Sequence, residues 1–216
     1  AVAIAESLGA RVTSQAYLGE GKQRQLTERL AGNDWILALD ADERLDDAMR
    51  DAVLRADLSG PDLAYAFNRK SYVGRHWIKG PGFYPDFITR LYNRTRSGYA
   101  DSYGHAGVNA PSVSRLEGHI LHYTYDDLSD WIAKINQVSS LDARGMFENN
   151  VPPSRFKPMT SALAAAFRQL ILRGGILHGK DAQGVVMTSM FRAYLKYWKL
   201  NELHEQARAP ESVSDT

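Results

Sequence analysis

The chain has 216 residues, 44% of them apolar and 24% charged, which suits one large domain with a short appendix and excludes several independent modules. Its 26 basic and 25 acidic residues leave a formal net charge of +1, too weak a field for capturing nucleic acid by phosphate neutralisation, so none is expected as a partner. The absence of cysteine rules out disulfide frameworks, zinc ribbons and thiol nucleophiles, and no apolar run reaches the roughly 18 to 20 residues of a spanning helix.

Residues 1–8 read as the last turns of an amphipathic helix that Gly9 closes, and residues 11–17 as a strand, the second half of a βαβ unit whose first strand is missing. Helical spacing follows over 22–30, then a short unbroken apolar run over 35–39, typical of a buried parallel strand, that ends in Asp40. A helix is expected over 46–58, a turn at Ser59, Gly60 and Pro61, and a strand over 63–71. The stretch 73–86 carries Gly74, Gly80, Pro81, Gly82 and Pro85 among Trp77, Phe83 and Tyr84, and reads as an ordered aromatic loop. Strands follow over 87–92 and 118–125, and a helix over 127–147 with acidic residues in its first turn. A break at 149–158 precedes two helices, 161–172 and 183–203, joined by a turn around Gly174, Gly175 and Gly179. Domain boundaries are set accordingly at 1–150, a basic helical region at 151–208 and a frayed tail at 209–216.

The chemistry concentrates at Trp35-Ile-Leu-Ala-Leu-Asp40-Ala-Asp42-Glu43-Arg44. The apolar strand delivers two carboxylates spaced by two, which the pleat places on one face where they can share one cation, at the carboxyl end of a strand where open α/β sheets bind ligands. A hard divalent ion held by carboxylates and diphosphate oxygens suits that position. The competing reading is a turn that caps the next helix. Phosphohydrolase chemistry with Asp40 as nucleophile is a further alternative that does not account for the rest of the chain.

Leu-Asp-Ala-Asp-Glu-Arg (39–44), Gly-Arg-His-Trp-Ile-Lys-Gly (74–80), Tyr84-Pro85-Asp86 and Arg90-Leu91-Tyr92, in this order, resemble family 2 glycosyltransferases of the GT-A fold. Within that family the chain is most similar to bacterial enzymes that add a glucose-type sugar to the lipopolysaccharide inner core, which continue with a His-Tyr strand (here His122-Tyr123), a Lys-containing helix (Lys134) and a basic C-terminus (Lys196-Tyr197). The resemblance spans nearly the whole chain, although the nucleotide-recognising segment with which family members begin is not among these residues. It implies an α/β, GT-A-like (Rossmann-like) mixed sheet with helices on both faces, lacking the first strand, plus a C-terminal helical appendix.

It further implies a metal-dependent inverting transfer of a hexose from a nucleotide sugar of the UDP-glucose type to a cell-envelope glycolipid such as lipopolysaccharide core. The expected cofactor is Mg2+ or Mn2+. Asp42 would touch the metal, Asp40 the donor ribose or a metal water, and His122 would be a further ligand, against the simpler reading of His122 as a packed strand histidine. Arg24 would meet the donor phosphates, against a solvated helix face. Similar sequences carry His-Glu where this one has His105-Ala106, so the usual candidate base is absent and Asp101 is the nearest substitute, otherwise an exposed turn residue. Trp77, Phe83 and Tyr84 are expected to stack on the acceptor sugar or else to pack internally, Gly80 to allow close approach, and Arg90, inside a strand, to meet an anionic partner.

Between Arg155 and Arg208 nine basic residues stand against Asp181, Glu202 and Glu205. Interleaved with Phe167, Ile171, Phe191 and Trp198, this charge suits peripheral contact with an anionic membrane surface, and cytoplasmic placement at the inner face of the bacterial inner membrane. The alternative is that both helices pack on the catalytic domain with their cations left in water. A non-catalytic glycan- or membrane-binding relative of the same fold is the alternative function.

Overall fold

A computed structural model describes residues 2–80, 82–101 and 107–208. The expected tail at 209–216 and the His105-Ala106 departure lie outside the described residues. In chain order the elements are α1 (Val2–Ser7), α2 (Glu20–Leu30), β1 (Trp35–Leu37), β2 (Glu43–Leu45), α3 (Asp47–Leu54), β3 (Leu63–Val73), β4 (His76–Trp77), β5 (Phe87–Asn93), β6 (Gly98–Tyr99), β7 (Val108–Asn109), β8 (Ser112–Tyr125), α4 (Leu128–Glu148), α5 (Lys157–Phe167) and α6 (Gly179–Arg208). A π-helical turn, Arg168–Leu172, and a 3-10 turn, Gly175–His178, join the last two helices. The hydrogen-bonded strand order is β1-β5-β3-β8-β2, with β4 paired to β3 and β6 to β7. The α/β class expected from the sequence is borne out, and the arrangement is consistent with a GT-A-like fold. By compactness the chain separates into a first unit (1–39, 55–66, 88–116) and a second (40–54, 67–87, 117–216).

In the first unit, α1 ends at Gly9, whose φ of 80° favours a residue without a side chain. Residues 11–17 do not form the expected strand and are irregular and exposed. A strand needs a ladder neighbour, and the polar run of Arg11, Thr13, Ser14 and Gln15 offers no continuous apolar face to hold one. The apolar run expected as a buried parallel strand over 35–39 shortens to β1 and pairs antiparallel with β5, Trp35 opposite Asn93 and Leu37 opposite Leu91. It ends the strand order with one neighbour, so Leu37 and Leu39 stay exposed. The core gathers Ala64, Tyr92 and Tyr99 with Ile36, Ala38, Val108 and Ala110. Glu28 of α2 fastens the helix there, accepting from Tyr92 Oη at 2.8 Å and Tyr99 N at 3.0 Å. Burial, then that bond to Glu28, holds the Tyr92 phenol far above its ordinary range.

In the second unit, β2 pairs antiparallel with β8, Glu43 opposite His122 and Leu45 opposite Ile120. Asp46 then caps α3, its Oδ1 accepting from Met49 N at 2.9 Å. The helix expected over 46–58 stops at Leu54, which is exposed. Beyond it Asp57 bonds Ser59 N at 2.9 Å, a local turn that competes with helix. The aromatic loop begins as a hairpin, β3 to β4, with Tyr72 opposite Trp77. Asp127 caps α4 by accepting from Asp130 N at 2.8 Å. Ile78, Trp131, Ile135 and Val185 form a core, with Val73, Phe83, Tyr125 and Leu195 packed around it. The two C-terminal helices expected at 161–172 and 183–203 are found as α5 with its π-helical turn and as α6, joined across a left-handed Gly174. Among the described residues no helix is long and apolar enough to cross a membrane.

Candidate functional site

The strand ends before the acidic pair is reached. Asp40 and Asp42 stand in a β-turn that Glu43 N closes on Asp40 O at 3.0 Å, so strand alternation does not put their carboxylates on one face; the turn of the competing reading is found, but the next helix is capped by Asp46 instead. The turn is held from below. Glu43, whose side chain is buried, accepts from Asp40 N at 3.1 Å and lies 3.5 Å from Arg69 Nη1, while Arg69 clamps Asp86 Oδ2 through Nη2 at 2.7 Å and Nε at 2.9 Å. Arg69 thus ties the acidic turn to Asp86 beside the aromatic loop. The sequence reading missed Arg69, although its place on the strand facing the Tyr-Pro-Asp segment was a usable signal.

The turn and the β2–β8 register deliver Asp42 to His122. Asp42 Oδ2 lies 3.2 Å from His122 Nε2, Asp42 being exposed and the His122 ring mostly covered. On the other side of the ring, Nδ1 lies 3.0 Å from Thr124 Oγ1 and 3.5 Å from Ser71 Oγ. The 3.2 Å contact suits Nε2–H donating to Asp42 with Nδ1 accepting from Thr124 Oγ1; the other tautomer, Nδ1–H donating to Thr124, would turn the Nε2 lone pair toward an ion beside Asp42. Among the described residues no group of three or more Asp, Glu or His side chains is arranged to hold a metal ion. The pair offers one carboxylate oxygen and one imidazole nitrogen, a mixed donor set of which only the oxygen is of the kind magnesium prefers.

The aromatic loop splits by role. Trp77 meets Tyr84 edge to face at 5.0 Å, and Lys70 Nζ and Lys79 Nζ lie 4.8 and 4.5 Å from its ring centroid. Tyr84 Oη is 3.3 Å from His119 Nε2, whose Nδ1 lies 3.2 Å from Asp46 Oδ2. Burial works to raise the Asp46 carboxyl, but amide bonds from His119 and Met49 and the His119 ring outweigh it, leaving its pKa lowered. Phe83 turns inward, edge-on to Trp131 at 5.9 Å. Gly80 is buried, and a methyl there would stand 3.0 Å from Val185 Cγ2 and 3.1 Å from Asp181 O, so the close approach it permits is to α6. Asp181 anchors the hairpin to the same helix through His76 Nε2 at 2.7 Å and Lys79 N at 3.0 Å. Burial pushes Asp181 up, yet those two bonds and the charges of His76 and Lys180 bring it below the usual carboxylate value.

Three expected site residues belong to the first unit. Arg24 lies 3.4 Å from Glu20 and places its guanidinium 5.1 Å from the Tyr99 ring centroid. Arg90 is only 5% exposed and donates from Nη1 to Tyr99 Oη at 3.3 Å, so both cations meet one tyrosine. Asp101 is exposed and follows Ala100, whose amide donates to Gly107 O at 3.0 Å.

In the C-terminal helices the free cations expected from charge alone are partly engaged. Lys199 donates to Asn136 O and Oδ1 at 2.7 Å and to Ser139 and Ser140 Oγ at 2.8 Å, joining α6 to α4. Burial draws its ammonium below the ordinary range, against a smaller opposing effect of Glu202. Arg192 pairs with Asp142 at 3.0 Å. Alongside exposed Arg155, Lys157 and Arg168, an apolar row stays exposed: Phe156, Met159, Leu163, Phe167 and Ile171, spaced by three or four residues, lead to Leu172, Ile176 and Leu177.

The chain is similar over nearly all its length to curated proteins named as glycosyltransferases. An uncharacterized glycosyltransferase of Rickettsia bellii (strain RML369-C) is 28% identical over 227 residues, covering 99% of this chain and 77% of the relative. One of Rickettsia felis (strain ATCC VR-1525 / URRWXCal2) is 28% identical over 225 residues, covering 98% and 78%. The lipopolysaccharide core biosynthesis glycosyltransferase LpsC of Rhizobium meliloti (strain 1021) is 26% identical over 214 residues, covering 93% and 76%. No protein-family model matches the chain. The resemblance drawn from the sequence motifs is supported by these relatives.

Proposed function

We propose that this chain, a relative of glycosyltransferases, is a metal-dependent inverting enzyme of the family 2 kind that moves a hexose from a UDP-glucose-type donor to a cell-envelope glycolipid such as lipopolysaccharide core. The observation that carries the reading is the Asp42–His122 pair, two donors 3.2 Å apart beside a turn braced by Glu43, Arg69 and Asp86. Asp42 and His122 would hold Mg2+ or Mn2+, which when bound supplies positive charge for the departing diphosphate. The chain's own residues do the rest. Thr124 fixes the His122 ring, Arg69 fixes the turn, Asp40 is assigned to the ribose, and Trp77 and Tyr84 are assigned to the acceptor's contact. Arg24 is assigned to the donor phosphates, and Asp101, an exposed carboxylate, is the candidate for taking the acceptor hydroxyl proton. The test is turnover of UDP-glucose, by hydrolysis or by transfer to isolated core glycolipid, with and without Mn2+. Ion-dependent turnover is expected, and none under either condition rejects the reading.

A second reading, a non-catalytic glycan-binding relative, is favoured by Ala106 where similar sequences carry Glu. It predicts UDP-glucose binding with no turnover in the same assay.

The acceptor's setting places the chain at the cytoplasmic face of the inner membrane, in peripheral contact with anionic lipid. Support for the contact comes from the exposed row Phe156, Met159, Leu163, Phe167 and Ile171, flanked by Arg155, Lys157 and Arg168, a polar-cationic rim around an apolar strip. Lys199 is not part of it, being spent on α4. Leu163→Asp with Phe167→Asp is expected to lower sedimentation with phosphatidylglycerol vesicles by roughly fivefold or more. Equal sedimentation of the variant and the parent chain refutes membrane docking by this face.

A further inference from the structure

We propose that Lys70 and Lys79 form, over the Trp77 indole, a binding site for an acidic group, phosphate or carboxylate, carried by the acceptor saccharide. The proposal rests on reading the aromatic loop as the acceptor's contact, and deepens that reading by naming the acceptor's charge.

Both ammonium nitrogens lie within 4.8 Å of one ring centroid, so the two like charges stand within about one screening length of each other. Neither makes an ion pair with any described carboxylate. The acids of the neighbourhood are already engaged: Glu43 and Asp86 on Arg69, Asp181 on His76 and the Lys79 amide, Asp46 on His119. From Leu63 to Pro85 the chain carries Arg69, Lys70, Arg75 and Lys79 and no acidic residue. An aromatic face satisfies part of an ammonium's field and engages one or two of its three N–H donors, so each lysine keeps a donor for an anion.

The platform is built rather than draped. Trp77 is opposite Tyr72 in the β3–β4 ladder, Lys79 is fixed through its amide to Asp181, and Tyr84 closes edge-on against the indole. With its π surface occupied by cations, Trp77 is better placed to seat a charged sugar by way of its lysines than to stack on a neutral one.

The test titrates the full chain with glucose, glucose 6-phosphate and glucuronate by saturation-transfer NMR, with uridine diphosphate and Mn2+ measured alongside. At least one of the two sugar acids is expected to bind roughly tenfold more tightly than glucose, the tighter identifying the group recognised. The Lys70→Ala, Lys79→Ala double variant should reduce that preference to within about twofold, with glucose affinity, uridine diphosphate affinity and unfolding midpoint unchanged, while Lys70→Arg with Lys79→Arg keeps most of it. Equal binding of all three sugars by the parent chain overturns the proposal, as does a preference that survives in the alanine variant. Loss of uridine diphosphate affinity in that variant, with sugar-acid binding intact, assigns the lysines to the donor and also overturns it. Failure of uridine diphosphate to bind any form, alongside a lysine-dependent preference for sugar acids, rejects the transferase reading and leaves the anion site standing.

Discussion

Asp42→Ala is expected to lower sugar transfer by at least ~1000-fold and to abolish the ion dependence of nucleotide binding, with the unfolding midpoint unchanged. The size follows from what the carboxylate would do. Breaking the glycosyl–oxygen bond leaves one new negative charge on a diphosphate that already carries two, and an ion would offset that charge only if the protein kept it in place. The Asp42 carboxylate is exposed and meets His122, and the backbone bond that Tyr123 N makes to Asp42 O survives truncation, so the substitution takes little from the fold. His122→Ala should be milder, roughly 10- to 100-fold, because phosphate and water can replace one neutral ligand. Arg69→Ala is the informative control. It leaves both donors in the sequence but frees Glu43 and Asp86, so a fall in transfer there reports the placing of the turn. Full turnover by the Asp42→Ala chain refutes the metal role.

The elements that the sequence made legible are those whose pattern repeats. The 3.6-residue spacing of α4 with Asp127 ahead of it, the apolar run that opens β3 and the glycine turn before α6 each follow a local rule. β2 was illegible because Glu43-Arg44-Leu45 is three residues long and charged, and exists only because β8 offers a partner 77 or so positions on. Without β2, nothing in the sequence stops the pleat of the preceding strand from governing Asp40 and Asp42, whereas the chain has to turn there to enter a second strand. The motif was found, and its geometry was misread.

The aromatic loop shows the same limit at the level of side chains. Trp77, Phe83 and Tyr84 are chemically alike in a sequence, and what separates them is the company each keeps: lysines for Trp77, His119 for Tyr84, and Trp131 of α4 for Phe83. Charge misled in a parallel way. Lys199 counted toward a membrane-facing field, yet a lysine opposite two serines and an asparagine on a neighbouring helix is more stable as a tie between helices. Once such ties are removed from the count, the apolar row on α5 is the stronger surface signal, because exposed large side chains at helical spacing have no comparable role within the fold.

Trp131→Ala is expected to cost about 3–5 kcal/mol of unfolding free energy. Its indole stacks on Tyr125 at 5.1 Å, takes the edge of Phe83 at 5.9 Å and reaches to within 3.9 Å of where a side chain at Gly184 would begin. One side chain therefore joins the end of β8, the aromatic loop, α4 and α6. Truncation leaves a void bordered by rings that cannot all collapse inward, since Tyr125 is held in its strand and Phe83 by the loop. Trp131→Phe should recover more than half of the loss, because a smaller ring still fills most of the space. The measurement is the urea midpoint, read at constant slope. The same substitution separates packing from chemistry. Phe83 loses its anchor while Asp42 and His122 keep theirs, so KM for the acceptor should rise by roughly tenfold with kcat changed much less. A loss below about 1 kcal/mol would mean that the helices are held together elsewhere, and a fall in kcat equal to the rise in KM would mean that the loop is part of the reacting centre rather than its approach.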